Sequence, residues 1–224
     1  ASSVRIALIP VKVLSSAKTR LSPLLDDDAR RALTLAMYRD TLDAALACPA
    51  LDAVAAVTRD DELLSIAEEA GAQPMPEPGG LNEALDSAAR TLASRSDVER
   101  LLVLAADLPL ARAADIAAVV EAQADVAIVP SNDGGTNAMA LTPAAFAFRY
   151  GPGSARLHVE AAGEAGLSVE RLDLPDLALD IDTPADLERL RSAVANGRQA
   201  GRRTLAALRK LNLVSPPMQE GKRR

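Results

Sequence analysis

The sequence predicts an α/β fold with a mostly parallel central sheet flanked by helices, and three observations carry that expectation. Short runs rich in Val, Ile and Leu alternate with longer stretches whose apolar residues repeat at helical spacing, the pattern of linked βαβ units. One run, residues 100–105 (RLLVLA), is apolar after its first residue with no polar alternation, as befits a central strand buried on both faces. The third is bulk: 224 residues, 49% hydrophobic and 25% charged, suit one folded domain with an appendage rather than a disordered chain or a disulfide scaffold.

In chain order, residues 4–9 form the first strand, ended by Pro10. A polar, basic segment over 11–23 leads to a helix over 26–46, whose acidic first turn suits the positive end of the helix dipole. Residues 53–57 are the second strand, and 60–70 the next helix, closed by Gly71. A short strand over 73–75 precedes the turn Pro76-Glu77-Pro78-Gly79-Gly80, and 81–93 is helical by period. After the central strand come a helix over 115–122 and strands over 126–129 and 138–141, separated by a polar loop. A helix over 154–165, strands over 169–174 and 177–181, and a helix over 185–195 complete the body. From Gly197 the composition shifts to Arg, Gly and Pro, which divides the chain into a domain over 1–196 and a basic tail over 197–224. The tail is either a solvated, poorly ordered extension, the preferred expectation, or a helix docking through Leu205, Leu208 and Leu211.

Composition excludes several functions. Aromatic residues are 2% of the chain, with two Phe, two Tyr and no Trp, so few rings exist on which to stack nucleic-acid bases. The net charge is -6, and eight basic residues against one acid in 198–224 give the tail +7 and leave -13 elsewhere, a poor match to a phosphate backbone. The single cysteine, Cys48, cannot form an internal disulfide, and no Cys/His cluster has zinc spacing. No apolar run approaches the ~18 residues of a membrane span, and Ala1-Ser2-Ser3 opens directly into a strand with no signal peptide. These features lead us to expect a cytoplasmic protein with neither nucleic-acid nor membrane partners; nothing in the sequence reports its oligomeric state.

In open α/β sheets ligands bind beyond the carboxyl ends of the strands, which directs attention to polar residues that follow apolar runs. Lys12, Lys18 and Arg20 follow the first strand, and two of the chain's four lysines fall within these few residues, as a polyphosphate clamp or as solvated loop charges. The loop lacks both the GxxxxGK[ST] and the GxGxxG phosphate-binding patterns. Asp107 follows the central strand, where a carboxylate is costly unless it is paired or binds a cation, although a turn Asp before Leu108-Pro109 is the plain alternative. Asp180 and Asp182 project to one side of an extended segment and suit a hard cation such as Mg2+, while Asp182 or Thr183 also suits capping of the helix opened by Pro184. The glycine-rich loops 131–137 and 150–154 can direct backbone amides at an anion, with Ser154 at a helix start, though turn and cap chemistry accounts for each loop alone. Three strand-end carboxylates beside a basic loop point to metal-dependent chemistry on a nucleoside triphosphate. His158, within a helix, reads as a half-buried packing or surface residue, and Cys48, at a helix end, as an inert small apolar one.

These segments, taken together, resemble a known family: Pro10-Val11-Lys12, residues 16–23 (SAKTRLSP), Gly80-Leu81-Asn82, Asp107-Leu108-Pro109-Leu110, residues 130–138 (PSNDGGTNA), residues 150–154 (YGPGS) and residues 180–184 (DIDTP). They are similar, in order, to the guanylyltransferases that act on 2-phospho-L-lactate or phosphoenolpyruvate in synthesis of the deazaflavin coenzyme F-420. The resemblance implies a single-domain, Rossmann-like nucleotidyltransferase fold, similar to that of the molybdenum-cofactor guanylyltransferases, with GTP and Mg2+. It implies Asp107, Asp180 and Asp182 as metal ligands and Thr136, Gly151 and Ser154 as contacts to the phosphorylated acid. Lys18, with Lys12 and Arg20, falls on the triphosphate, and Asn82 matches a nucleoside contact.

The residues agree with that chemistry. A phosphate monoester is itself a nucleophile, so a chain with one His and one Cys, neither in a motif, suffices if it can bring two polyanions together. Catalysis then falls to Lys18, Arg20 and Asp107. Two alternatives remain at this point: another nucleotidyltransferase of similar fold, for a pterin or sugar phosphate, though the glycine-rich Leu-Ala-Gly-Gly opening of those relatives is absent; and a GTP-binding module without catalysis.

Overall fold

The structure, a computed structural model, describes residues 3–76, 79–95 and 97–215. Its strands are β1 (Val4–Pro10), β2 (Ala53–Thr58), β3 (Gln73–Pro76), β4 (Val98–Leu104), β5 (Val126–Pro130), β6 (Thr136–Leu141) and β7 (Val169–Arg171). Its helices are α1 (Asp27–Leu46), α2 (Asp61–Ala70), α3 (Leu81–Ala93), α4 (Ala113–Val120), α5 (Ser154–Glu164), α6 (Pro175–Ala178), α7 (Pro184–Ala195) and α8 (Arg202–Lys210). Two 3-10 turns, Leu14–Ser16 and Thr19–Leu21, lie between β1 and α1. Of the turn expected at 76–80, Glu77 and Pro78 lie outside the described residues.

The strands make one sheet in the order β3-β2-β1-β4-β6-β5-β7. Every neighbouring pair is parallel except those made by β6, which runs antiparallel to β4 and to β5. The reversal follows from the connection: residues 131–135 are too few for a crossover, so β6 returns as a hairpin. The sheet is therefore mostly parallel, as expected, and β4 lies at its centre with Leu101, Leu102, Val103 and Leu104 buried.

Helices cover both faces. Tyr38 and Leu42 of α1 and Ile116 and Val119 of α4 pack on Ala7, Ile9, Leu102 and Leu104 from one side. Leu85 and Ala88 of α3 and Ala155 and Ala162 of α5 pack on Ile6, Leu8, Leu101 and Val103 from the other. Cys48 is buried in the first of these layers, as the inert small apolar residue read from the sequence. Among the described residues no helix is long and apolar enough to cross a membrane.

Two expectations fail. Residues 177–181 are not a strand: Pro175 starts the short helix α6, as its fixed φ favours at a first helical position. The alternation still reports burial, because Leu177, Leu179 and Ile181 are all buried, but among the described residues no strand pairs with them. Of the two forms expected for the tail, its described part takes the second, a docked helix, and not the preferred solvated extension. Helix α8 lies on α1, with Leu208 buried against Leu33, Met37, Leu187 and Leu190. Its first turn is held by Asp40 of α1, which accepts from the backbone amides of Thr204 (2.7 Å) and Arg203 (3.2 Å). Upstream, Arg198 pairs with Asp176 at 2.8 Å, and the Gly201 amide donates to the Pro109 carbonyl at 2.8 Å, two residues beyond Asp107.

Candidate active site

The acidic end is built where β4 and the α6–α7 connection meet. β4 delivers Asp107 three residues past its last position, and the connection delivers Asp180 and Asp182. The three carboxylates each offer an oxygen within 4.8 Å of the others. The choice of cap for α7, open in the sequence, falls to Thr183: its hydroxyl accepts from the Asp186 amide, and the Asp186 carboxylate accepts from the Thr183 amide at 2.9 Å. Asp182 is left free to face the cluster.

Three carboxylates this close repel one another unless a cation sits among them. In the protein alone, that cation is Lys18. Its backbone adopts a left-handed conformation (φ 57°) before the second 3-10 turn, and its ammonium donates to Asp107 and, at 2.8 Å, to Asp182. Burial works against the Lys18 charge, but Asp107 and then Asp182 outweigh it and lift its pKa above the ordinary lysine value. Asp182 is held below the usual carboxylate range: burial opposes its charge, while Lys18, then Lys12 and Arg20, favour it. Lys12 and Arg20 themselves are exposed at the rim. Asp180 lacks the ammonium. Burial and then repulsion from Asp107 push its pKa up to about 6, partly offset by a hydrogen bond from Asn137 Nδ2 at 3.1 Å.

A β-bulge separates this end from the second cluster. Pro130 pairs with Thr136 and Val129 with Ala138, which leaves Asn137 as an extra residue in β6. A bulge re-aims the side chains around it. Asn137 thereby joins the Ala138 and Ala140 face, donating to Asp180 and, at 3.0 Å, to the Leu177 carbonyl, while Thr136 turns to α5 on the opposite face. There Thr136 Oγ1 lies 3.0 Å from Ser154 Oγ and 3.0 Å from His158 Nδ1. Thr136, Ser154 and His158 are 8%, 1% and 0% exposed.

The two glycine-rich loops differ from the expected amide cradles. In 131–135 four of the five amides are already bonded: Ser131 to the Gly135 carbonyl, Asn132 to Ala178, Gly134 to Ser131, and Gly135 to the Asp133 carboxylate. At the start of α5, the amides of Ser154, Ala155 and Arg156 donate to the carbonyls of Gly151, Gly134 and Gly153. Gly153 closes that turn in a left-handed conformation (φ 69°), which suits glycine. Among the described residues, the amides of Gly151 and Gly153 meet no acceptor, and Gly151 is exposed.

Asn82, a nucleoside contact by the resemblance, bonds the loop before Gly151 in this structure. Its Nδ2 donates to the Tyr150 carbonyl (3.1 Å) and its Oδ1 accepts from the Tyr150 amide (2.7 Å), so both ends of the side chain hold the loop before Gly151. Two further side chains hold that loop: Asp86 accepts from the Phe148 amide and His158 Nε2 from the Arg149 amide, each at 2.9 Å. His158, Asp86 and Asn137 escaped the sequence reading. The available signal for His158 was its place four residues after Ser154, on one helix face.

Comparison with known proteins completes the picture. The family described as "Guanylyl transferase CofC like" matches residues 5–223. The phosphoenolpyruvate guanylyltransferase of Sphaerobacter thermophilus is 43% identical over 190 residues, covering 83% of this chain and 91% of that protein. The 2-phospho-L-lactate guanylyltransferase of Methanothermobacter thermautotrophicus is 38% identical over 185 residues, 81% of each chain. Among solved structures, a putative nucleotide-diphospho-sugar transferase from Desulfovibrio desulfuricans superposes with a TM-score of 0.76 at 22% identity, covering 94% of this chain and 96% of that one, a likeness of fold alone. With its motifs in order and the match spanning nearly its whole length, the chain belongs to the guanylyl transferase CofC-like family.

Proposed function

We propose that this protein transfers GMP from GTP to the phosphate of phosphoenolpyruvate, or of 2-phospho-L-lactate, and releases pyrophosphate, the guanylylation step of coenzyme F-420 synthesis. The observation that carries this reading is the convergence of Asp107, Asp180 and Asp182, two of them on the Lys18 ammonium, beyond the carboxyl end of the central strand, where an α/β fold binds its ligand. These carboxylates fit Mg2+: they are hard oxygen donors, close enough to share one ion, and already hold a positive charge among them. Mg2+ bound there supplies charge screening between the two phosphates.

The remaining chemistry belongs to the chain. Lys18, with Lys12 and Arg20 at the rim, binds the triphosphate and steadies the departing pyrophosphate. Thr136, Ser154 and the exposed Gly151 amide bind the acid and aim its phosphate oxygen at the α-phosphorus of GTP. That oxygen forms the new P–O bond as the bond between the α-phosphorus and its bridging oxygen breaks. No side-chain nucleophile is required. The buried lone Cys48 suits a reducing cytoplasm.

The test is direct: incubate the protein with GTP, Mg2+ and each acid separately, and measure pyrophosphate. Release that depends on one of the two acids and on Mg2+ supports the reading. GTP binding without turnover on either acid would overturn it.

A further inference from the structure

The Thr136, Ser154 and His158 cluster contains a proton count that the reaction above does not use. The Arg149 backbone amide can only donate, and it points at His158 Nε2 from 2.9 Å, so Nε2 is an acceptor and bears no proton. The imidazole is also neutral: burial, then the Arg149 charge, lower its pKa to about 4. Its one proton is therefore on Nδ1, and Nδ1 donates to Thr136 Oγ1 at 3.0 Å.

Two hydroxyls remain, 3.0 Å apart, with two protons between them. The bond that joins them uses one, whichever hydroxyl donates. The other proton has no acceptor among the described residues. Were the imidazole protonated on Nε2 instead, Thr136 would donate to Nδ1 and Ser154 to Thr136, and both protons would be consumed. The tautomer thus decides whether the hydroxyl pair meets a ligand as a donor or as lone pairs, and an anion needs a donor.

We infer that His158 is a positioning residue for the acid substrate: held as the Nδ1–H tautomer by the Arg149 amide, it keeps one proton of the Thr136–Ser154 pair free for the anion's oxygen. This rests on the reading of Thr136 and Ser154 as acid contacts. The same imidazole ties the cluster to the loop before Gly151, because Arg149 lies between Phe148 and Tyr150, whose amides Asp86 and Asn82 hold. The loop and the hydroxyl pair are thereby set by one ring.

His158 is the only histidine in the chain, so its ring is directly observable in the full protein labelled with 15N-histidine. A long-range 1H–15N spectrum at neutral pH is expected to give one imidazole with a protonated Nδ1 and an unprotonated Nε2; an Nε2–H ring overturns the inference without any variant. Kinetics on two variants of similar size supply the second readout. Both variants lose the Nε2 acceptor of the Arg149 amide, so both are expected to raise the acid KM severalfold; His158→Asn, which offers a donor toward Thr136, is expected to stop there, whereas His158→Asp, which offers an acceptor, is expected to raise it about tenfold further, with the GTP KM within about twofold in both. Equal acid KM values for the two variants, or a GTP KM moving in step, overturn the assignment. Ser154→Ala and Thr136→Val separate this failure from that of the underlying reading: if neither raises the acid KM, the acid does not bind there, whatever the tautomer.

Discussion

At the acidic end, Asp107, Asp180 and Asp182 crowd three carboxylates together, two of them on one ammonium, partly open to solvent. At the hydroxyl end, Thr136, Ser154 and His158 are neutral, buried and bonded to one another. Neighbouring residues of one bulge serve the two ends, Asn137 the first and Thr136 the second. The acidic end leaves Asp180 without a cationic partner among the described residues; the hydroxyl end leaves one proton without an acceptor among them. A transferase that joins two polyanions needs both kinds of surface, one to neutralise charge and one to orient.

If that division is right, the largest effect comes from the acidic end. Asp107→Asn keeps the side-chain shape and removes a charge, leaving Lys18 with Asp182 alone. Turnover is expected to fall about 100- to 1,000-fold, with calorimetric Mg2+ binding weakened and the acid KM nearly unchanged. A folded Asp107→Asn protein with near wild-type pyrophosphate release would break the comparison at its stronger side.

The tail supplies the next effect. Truncation after Gly197 removes Leu208 from its contact with Leu33, Met37 and Leu187, and removes the Gly201 amide from Pro109 beside the Asp107 loop. We expect a stability loss of about 3–5 kcal/mol, read as a lower midpoint in urea, from the apolar surface uncovered and the capping bonds lost. Arg203 adds little through its paired charge, because it is partly exposed. An unchanged midpoint would mean that α8 is a passenger.

The hydroxyl end predicts a pH dependence of opposite origin to the acidic end. His158 has its pKa lowered from the usual 6.5 to about 4, so between these values the unfolded chain binds the proton that the folded one refuses. Stability then rises with pH through this window and is lost as pH falls from about 6.5 toward 4, by at most roughly 3 kcal/mol. The difference in urea midpoint between wild type and His158→Asn, followed from pH 7 to 4, isolates this contribution. Parallel curves would show that the imidazole is free to charge in the native state.

The sequence made the acidic end legible and left the hydroxyl end half hidden, for a physical reason. A carboxylate after an apolar run is conspicuous because burial makes it costly, and Asp107, Asp180 and Asp182 all announce themselves in that way. The helix over Leu81–Ala93 was equally plain, since its apolar period, Gly80 before it and the Glu83 that bonds the Gly80 amide are local. His158 acts through Thr136 and the Arg149 amide, and nothing in its own surroundings in the chain announces either. The same limit misassigned residues 177–181, where alternation correctly reported buried side chains but could not report the missing strand partner.

Asn82 gives the finest test, because motif and geometry assign it differently. By resemblance it contacts the nucleoside; by its hydrogen bonds it clamps Tyr150, from 68 positions away in the chain, with one donor and one lone pair of its amide. Replacing it with alanine strands one backbone donor and one acceptor in a partly buried loop, at a cost of about 1–2 kcal/mol. Because that loop leads into Gly151, the loss should appear as a severalfold higher KM for the acid, with the GTP KM unchanged. A higher GTP KM with the acid KM constant would return Asn82 to the nucleotide, and would mean that the loop opens when GTP binds. Only in the first outcome does α3 belong with the hydroxyl end, as a support that Asn82 and Asp86 extend to the same loop that His158 holds from α5.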